Sequence, residues 1–260
     1  MRLLFVGDVV GKPGRRALHE LLPQIVDHRN VDYVVVNVEN AAGGFGVTRP
    51  IMAELETLPI DCYTSGNHIW DKRDCLPILD ENPKLLRPLN YPDGNPGRGV
   101  HVGETAAGIP VATLNAEGQV FMKALPSPFL RTDEELAALD PSIRIRIVDF
   151  HAEATSEKQA MAFYLDGRVS AVLGTHTHVP TADARVLPGG TALLTDVGMT
   201  GPYESIIGMR SDKVLHRFLR NTPAPFEVAK RDVRLAAALL DIDPETGKAE
   251  SIEQLLMPLE

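Results

Sequence analysis

The sequence predicts an α/β fold, which we expect to form a single domain over residues 1–260. Short apolar runs of strand length alternate with segments that carry apolar residues at helical spacing, the pattern of α/β domains. Nearly every predicted strand is followed by a polar residue with a metal-binding side chain, and active sites of such domains lie at that edge. A chain of this length can bury one large core or two small ones, and we find no internal repeat or linker that would divide it.

The N-terminal segment predicts a strand, a helix and a second strand. Residues 3–6 form an apolar run of the kind found in buried strands. Residues 15–28 place apolar side chains on one helical face, and we expect Pro13-Gly14 to separate this helix from the segment before it. Residues 33–38 are rich in valine and predict the second strand.

A short helix, a short strand and an irregular segment are predicted next. Thr48-Arg49-Pro50 opens a helix, because threonine is a favoured cap and proline suits the first turn. Residues 62–64 predict a strand, and another helix is expected after Asp71. Residues 82–128 are dense in proline and glycine, which indicates loops and short, partly antiparallel strands. The apolar runs within that segment cover residues 99–102 and 111–114.

The second half of the chain returns to alternating elements. Apolar runs predict strands at 143–149, 169–173 and 192–195, and helical spacing predicts a helix at 154–165. The chain then predicts a terminal hairpin, because two strand-like segments flank the turn sequence Pro-Glu-Thr-Gly. Its two strands are residues 233–242 and 250–257.

Composition excludes several classes of protein. The net charge is −9 and no long basic run occurs, which argues against binding of duplex nucleic acid. A small anionic substrate is still compatible with this charge, because a metal ion can supply positive charge locally. The two cysteines, Cys62 and Cys75, match no metal or redox spacing and predict a reducing cytoplasm. We expect no signal peptide, and no apolar run is long enough to span a membrane.

The most informative stretch is Gly-Thr-His-Thr-His at residues 174–178. It directly follows the predicted buried strand at 169–173. In extended backbone His176 and His178 would point to the same side, since side chains alternate along a strand. Imidazole is the commonest neutral metal ligand, so this segment predicts a pair of ligands. Two polar histidines in a turn are the alternative.

The ends of the other predicted strands supply further ligand types. Together the set contains four histidines, two carboxylates and two carboxamides: Asp8, Glu39, Asn40, Asn67, His68, His151, His176 and His178. Mixed nitrogen and oxygen ligands suit Fe, Mn, Zn or Co. Eight groups exceed what one tetrahedral ion requires, whereas two ions bridged by a carboxylate would use them, as in phosphatases and nucleases.

Several motifs resemble the calcineurin-like metallophosphoesterases. Gly7-Asp8, Gly66-Asn67-His68 and residues 174–178 resemble the first, third and last sequence blocks of that superfamily. Longer segments are similar to its YmdB-type bacterial phosphodiesterases, and the similarity extends from the first strand past residue 208. These segments are residues 5–11, 38–44, 149–158 and 195–201. The resemblance implies two mixed β-sheets sandwiched between helices, in the order αββα.

Two positions depart from the wider superfamily and agree with the YmdB-type branch. Val10 stands where the superfamily has a histidine, and Glu39 stands where the bridging ligand is usually an aspartate. The resemblance therefore implies a dinuclear centre in which Glu39 bridges the two ions and Asn40 joins the metal shell.

The resemblance also implies how the remaining ligands are shared. We expect Asp8 and His178 on one ion, and Asn67, His151 and His176 on the other. The expected cofactors are two divalent or trivalent transition-metal ions per chain, iron first and manganese next. The sequence itself does not choose between these metals, because nitrogen and oxygen ligands bind both.

The activity implied by the resemblance is phosphodiester hydrolysis, with 2′,3′-cyclic nucleotides such as 2′,3′-cAMP among the substrates. A metal-bridging hydroxide would attack phosphorus, and the two cations would stabilise the developing negative charge. His68 adjoins the ligand Asn67 without binding metal itself, so it is the candidate general acid for the leaving alkoxide. The resemblance further suggests a homo-oligomer.

Each candidate ligand has an ordinary structural alternative. Asp8 could cap a helix, Asn40 and Asn67 could be turn residues, and His151 could be a buried, hydrogen-bonded histidine. We favour the ligand interpretation because the motifs occur together and in order.

Neighbouring charged residues leave further alternatives open. Gly11-Lys12-Pro13 lacks the Ser or Thr that follows the lysine of a nucleotide-binding P-loop. We expect Lys12 and Arg15 to be exposed residues in salt bridges, with contact to a substrate phosphate as the alternative. Asp196 and Glu153 are predicted either to orient ligand imidazoles or to cap local structure.

Two other functions are compatible with the same sequence. The site could hydrolyse a phosphomonoester or an RNA phosphodiester. In the non-enzymatic alternative, the protein is a regulatory nucleotide-binding protein whose catalysis is incidental. We favour the enzyme because the sequence contains no additional interaction module.

Overall fold

The computed structural model describes residues 1–260, in which twelve β-strands and six α-helices alternate. The strands are β1 Arg2–Val6, β2 Tyr33–Asn37, β3 Cys62–Thr64, β4 Val100–Glu104, β5 Pro110–Glu117, β6 Ile145–His151, β7 Ala171–Thr175, β8 Arg185–Val186, β9 Ala192–Leu194, β10 Gly201–Pro202, β11 Val233–Ile242 and β12 Ala249–Pro258. The helices are α1 Gly11–Arg29, α2 Arg49–Leu55, α3 Cys75–Glu81, α4 Pro128–Ala138, α5 Thr155–Tyr164 and α6 Ser211–Arg220, with a 3₁₀ helix at Ile69–Asp71.

The strands form two mixed sheets. The first has the order β10-β11-β1-β2-β3, with β12 also paired to β11, and the second has the order β4-β5-β6-β7-β9-β8. Strands β1 to β3 run parallel to one another, as do β5, β6, β7 and β9. The carboxyl ends of these parallel strands therefore lie at one edge of each sheet, which is where α/β domains place their sites.

Side-chain alternation along β1 explains why the sheets are stacked. Leu4 and Val6 belong to an apolar core that also contains residues of α1, α2 and α3. Leu3 and Phe5 point the other way, into a core shared with Ile147 of the second sheet. A third core lies between the second sheet and helices α4 and α5. The predicted α/β class and the layer order αββα are confirmed.

The first helix begins at Gly11, not at residue 15 as predicted. Proline is tolerated in a first helical turn, because the N–H it lacks would have no partner within the helix. Gly14 lies against the first sheet, and a Cβ at this position would come within 2.3 Å of the Thr200 carbonyl oxygen. Pro13 and Gly14 therefore belong to the helix and do not separate it from the segment before.

Two helices and two short strands were not predicted. Ser127 and Pro128 begin α4, with the serine side chain accepting a hydrogen bond from Leu130 N, but the proline-rich segment before it hides this start signal. Helix α6 was missed although Val214, Leu215, Phe218 and Leu219 recur at helical spacing, and the two-residue strands β8 and β10 are too short to show a period. The predicted terminal hairpin is confirmed, since β11 and β12 pair antiparallel.

None of the helices combines the length and the apolar character that a membrane span requires.

Candidate metal centre

Five parallel strands from both sheets deliver the candidate ligands to one place. The residues follow β1, β2, β3 and β7, while His151 is the last residue of β6. Hydrogen bonds between the sheets hold these ends together. Asn37 Nδ2 donates to Asp149 Oδ2 over 2.9 Å, and Ser65 N donates to Asn115 Oδ1 over 3.0 Å.

Four possible ligand atoms converge at the His151 ring. His151 Nε2 lies 3.2 Å from Glu39 Oε1, 3.0 Å from Asn67 Oδ1 and 3.1 Å from His176 Nδ1. Gly66 makes this convergence possible, because a Cβ at that position would lie 2.1 Å from His151 Cδ2. Glu39, His151 and His176 are close enough together to hold a metal ion.

The tautomer of His151 suits a ligand. Its Nδ1 lies 2.9 Å from Thr175 Oγ1, and that hydroxyl donates to Asp149 Oδ1 over 2.7 Å. Since the threonine proton is given to Asp149, the threonine oxygen accepts the Nδ1 proton of His151. Nε2 is then the ring atom available to a metal ion, as expected for a metal-binding imidazole with an outer hydrogen-bond partner.

The electrostatics of the cluster favour a cation. Burial opposes ionisation of Glu39, but the His151 and His68 rings outweigh it and lower the pKa of Glu39 to about 2. Burial also opposes protonation of His151, but the carboxylates of Glu39 and Asp8 raise the pKa of His151 to about 9. The buried carboxylates thus stabilise positive charge at the place where an ion would bind.

Asp8 supplies a further sign of a cation site. It is fully buried; Oδ2 accepts from His176 N over 3.1 Å, whereas Oδ1 has no hydrogen-bond partner. Burial raises the pKa of Asp8, because the charged carboxylate loses its hydration there. An unpaired buried carboxylate oxygen is costly, and a bound metal ion would remove that cost.

Asn40 and His178 form the other end of the ligand set. Asn40 Nδ2 lies 3.0 Å from Glu39 Oε1 and 3.1 Å from His178 Nε2. His178 Nδ1 lies 2.9 Å from the Ile207 carbonyl oxygen and donates to it, which leaves Nε2 as the ring atom available to an ion. Rotation of the Asn40 amide would present its oxygen to an ion, since amide oxygen and nitrogen are nearly isosteric.

The prediction that His176 and His178 lie in extended backbone on the same side is wrong. Strand β7 ends at Thr175, and the φ angles of the two histidines are 99° and 66°, in the left-handed region. The turn is held by Asp196 Oδ2, which accepts from Thr177 N and Oγ1 over 3.2 and 2.7 Å. Within this turn His176 faces His151, and His178 faces Asn40.

The structure separates the roles of Asp196 and Glu153. Asp196 contacts no imidazole; it holds the turn between the two histidines and accepts from Lys158 Nζ over 2.6 Å. Glu153 Oε2 lies 3.2 Å from His176 Nε2 and therefore can orient that ring. The structural alternative is correct for Asp196, and the orienting alternative fits Glu153.

His68 lies next to the cluster and is fixed at two points. Its backbone N donates to Glu39 Oε2 over 3.1 Å, and its Nδ1 lies 2.8 Å from Asp71 Oδ2. The ring of Phe45 packs edge-on against it, with ring centroids 4.9 Å apart. The side chain is 29% exposed, so its Nε2 is able to meet a substrate.

Sequence reasoning missed Glu117 beside this centre. Strand β5 extends to Glu117, which pairs in register with His151, although the apolar run that predicted the strand ends at Leu114. Both Glu117 carboxylate oxygens, the hydroxyl of Tyr91 and Nε1 of Trp70 are buried without a hydrogen bond of normal geometry, although the Tyr91 hydroxyl is close enough to Glu117 to act on its pKa. Burial raises the pKa of Glu117. No signal in the sequence marks such a residue, because a glutamate that follows an apolar run is usually exposed.

The expectations for Lys12 and Arg15 are each partly right. Arg15 Nε lies 3.0 Å from both oxygens of Glu54, and its Nη1 donates to the Ala41 carbonyl, so it forms the predicted salt bridge but is mostly buried. Lys12 is exposed and takes part in none of the ion pairs of the structure.

Known proteins share both the sequence and this architecture. Residues 4–255 match the sequence model of the family described as YmdB-like protein. The chain is 46% identical to a 2′,3′-cyclic-nucleotide 2′-phosphodiesterase of Bacillus subtilis (strain 168) over 257 residues, which is 99% of this chain and 97% of the relative.

Two crystal structures are similar over almost the whole chain. A hypothetical protein from Thermus thermophilus is 44% identical, with a TM-score of 0.93 and 99% of each chain covered. A novel phosphatase from Mycoplasma pneumoniae is 34% identical, with a TM-score of 0.93, and the match covers 99% of this chain and 93% of that one.

Proposed function

The chain belongs to the YmdB-like protein family, and on this premise we propose that it is a metal-dependent phosphodiesterase that hydrolyses 2′,3′-cyclic nucleotides. The observation that carries the proposal is the convergence of Glu39, Asn67 and His176 on His151 Nε2. The 2′,3′-cyclic-nucleotide 2′-phosphodiesterase of Bacillus subtilis, which is similar along nearly its whole length, supports the reaction class and the substrate.

The ligand set we propose has two halves joined by Glu39. Its Oε1 lies 3.2 Å from His151 Nε2 on one side and 3.0 Å from Asn40 Nδ2 on the other, which supports a bridging role. We assign Asn67, His151 and His176 to one ion. We assign Asp8, Asn40 and His178 to the second ion, of which Asp8 contributes the unpartnered oxygen.

The two ions, iron first and manganese next, would supply a bridging hydroxide as the nucleophile and positive charge to offset that of the transition state. The protein supplies the proton for the leaving oxygen. His68 carries it on Nε2, while Asp71 accepts from Nδ1 and orients the ring. Burial of Glu39 and His151 keeps bulk water away from the ligands.

We propose a cyclic diester as substrate because its hydrolysis opens one ester bond and leaves a monoester in a single step. Metal removal tests the proposed metal dependence directly. Dialysis against a chelator is expected to abolish turnover of 2′,3′-cAMP, and addition of Mn²⁺ or Fe²⁺ under reducing conditions to restore it. Assays with 2′,3′-cAMP, 3′,5′-cAMP, a chromogenic diester and a short RNA then rank the substrates. If none of the four is turned over with metal present, the proposal is wrong.

Further properties stay predictions of the same proposal. We propose that residues 1–260 act as one domain, in the reducing cytoplasm, on a small-molecule substrate and as a homo-oligomer. The two free, buried cysteines agree with a reducing compartment. Size measurement in solution tests the assembly, and limited proteolysis tests the single domain.

A further inference from the structure

A surface cavity of about 640 Å³ lies beside the loop that follows Glu39 and Asn40. Gly43 of that loop lines it, together with Lys12, Arg16, Lys230 and Phe226. The position of Lys12 is fixed near the metal ligands, because N of the adjacent Gly11 donates to the Asn40 carbonyl oxygen over 2.9 Å. The cavity is thus a neighbour of the proposed metal centre.

The cavity carries positive charge on a chain whose net charge is −9. Lys12 and Lys230 are exposed, and neither forms an ion pair. The acidic residue that lines the cavity, Glu227, is already paired with Arg210 and Lys213 at 2.8 and 3.6 Å. Two free ammonium groups therefore face this space, and a phosphate group is the ligand that they suit.

Aromatic rings connect this cavity to the proposed general acid. The Phe226 ring lies 5.9 Å from that of Phe45, and the Phe45 ring lies 4.9 Å from that of His68, centroid to centroid. The Arg217 guanidinium covers Phe226 at 4.2 Å. Rows of aromatic rings and arginines are typical of surfaces on which nucleobases stack.

We propose that the protein acts on short single-stranded RNA fragments that end in a 2′,3′-cyclic phosphate. The cyclic phosphate lies at the metal centre, the adjoining bases lie along Phe45 and Phe226, and the preceding phosphodiester contacts Lys12 and Lys230. This inference rests on the proposed function and names its substrate class. In the reaction one water is consumed: its oxygen bonds to phosphorus, one ring P–O bond breaks, and the released ribose oxygen takes a proton. The fragment then ends in a monophosphate.

The test compares kcat/KM for 2′,3′-cAMP with that for a dinucleotide that ends in the same cyclic phosphate. We expect the dinucleotide to be preferred about tenfold, and the double substitution Lys12→Glu with Lys230→Glu to remove that preference. The wild-type rate on the dinucleotide should also fall more steeply with salt, by about 0.7 in the log–log slope for one phosphate contact. The double substitution Lys84→Glu with Lys248→Glu, at two exposed lysines outside this cavity, is the charge-matched control.

The outcomes distinguish this inference from the proposed function. Turnover of 2′,3′-cAMP without preference for the dinucleotide overturns the inference and leaves the proposed function intact. The inference is also overturned if the double variant loses kcat/KM equally on both substrates while its metal content and melting temperature are unchanged. If neither substrate is hydrolysed by the metal-loaded protein, the proposed function fails as well. Phe226→Leu should lower kcat/KM only for the dinucleotide, because leucine keeps the apolar contact and loses the aromatic face on which a base stacks.

Discussion

Asp71 Oδ2 lies 2.8 Å from Nδ1 of His68, three residues earlier in the chain. The other side of His68 is fixed by its backbone N, which donates to Glu39 Oε2 over 3.1 Å. A carboxylate that accepts from Nδ1 fixes the orientation of an imidazole and leaves Nε2 free to serve as a proton donor. If His68 is the proposed general acid, Asp71 is the residue that positions it.

Asp71→Asn is expected to lower kcat for 2′,3′-cAMP about tenfold, because general-acid catalysis as a whole contributes about 10²–10⁴-fold. KM should change little, because the substitution acts through the orientation of His68. Metal content should not change. Asp74→Asn, at an exposed residue without a side-chain hydrogen bond, is the control. An unchanged kcat, or a loss that appears in KM alone, would remove Asp71 from this role.

Glu39→Gln and His68→Ala are expected to fail in different ways. Glu39 lies between both halves of the ligand set, so the glutamine variant should lose metal and activity together. The His68 ring touches no proposed ligand side chain, and the alanine variant should keep both ions and lose turnover. Elemental analysis beside steady-state assays checks this, and equal metal loss in both variants would contradict the assigned roles. Cellular effects that persist without hydrolysis would favour a regulatory protein.

His178→Ala tests the assignment of ligands to ions. His178 contacts Asn40 and the Ile207 carbonyl, but none of the atoms around His151 Nε2. We expect this variant to bind one ion per chain, where the unaltered protein binds two. His176→Ala should lose the other ion, because His176 Nδ1 lies 3.1 Å from His151 Nε2. Metal-substituted samples with Mn²⁺ allow the two ions to be counted by spin resonance. Loss of both ions in each variant would show that the sites fill together.

The sequence predicts most of the fold because apolar runs report burial directly. Strand β1 lies between two cores, and its continuous apolar run marks it as buried on both faces. The motifs likewise indicate which strand ends carry ligand-type residues. The orientation of His176 and His178 is not predictable in this way, because it depends on a turn held by Asp196 from a distant segment. Glu117 is missed for a similar reason, since its burial depends on the neighbouring strand β6.

Lys158→Met is expected to destabilise the fold by about 3–5 kcal/mol, because it leaves a buried carboxylate without its counter-ion. The side chains of Lys158 and Asp196 are each 1% exposed, with Nζ and Oδ2 separated by 2.6 Å. Since Asp196 also holds Thr177, metal affinity should fall in the same variant. Chemical denaturation and metal titration measure the two effects. Lys248→Met, at an exposed lysine, should change stability by no more than about 0.5 kcal/mol.

Glu117→Gln is expected to stabilise the metal-free protein. Both carboxylate oxygens of Glu117 are buried without a hydrogen bond of normal geometry, and burial raises its pKa above the ordinary value of 4.5 despite the nearby Tyr91 hydroxyl. The folded state therefore holds this proton more tightly than the unfolded state does. Consequently the wild-type protein loses stability as pH rises above 4.5, where the unfolded chain releases the proton. Glutamine carries no charge, so the gain in melting temperature should be small at pH 4 and larger at pH 8.

The gain at pH 8 should correspond to about 1–3 kcal/mol, the cost of an unsatisfied buried polar group. It should shrink when metal is bound, because cations near His151 and Glu39 offset the Glu117 charge. Glu157→Gln is the matched control: Glu157 is also buried, but its oxygens accept from Gln119 N and Val120 N at 2.9 and 3.2 Å. That variant should melt at a lower temperature. A Glu117→Gln variant that melts below the wild-type protein at pH 8 without metal would mean that the carboxylate of Glu117 has a partner in solution.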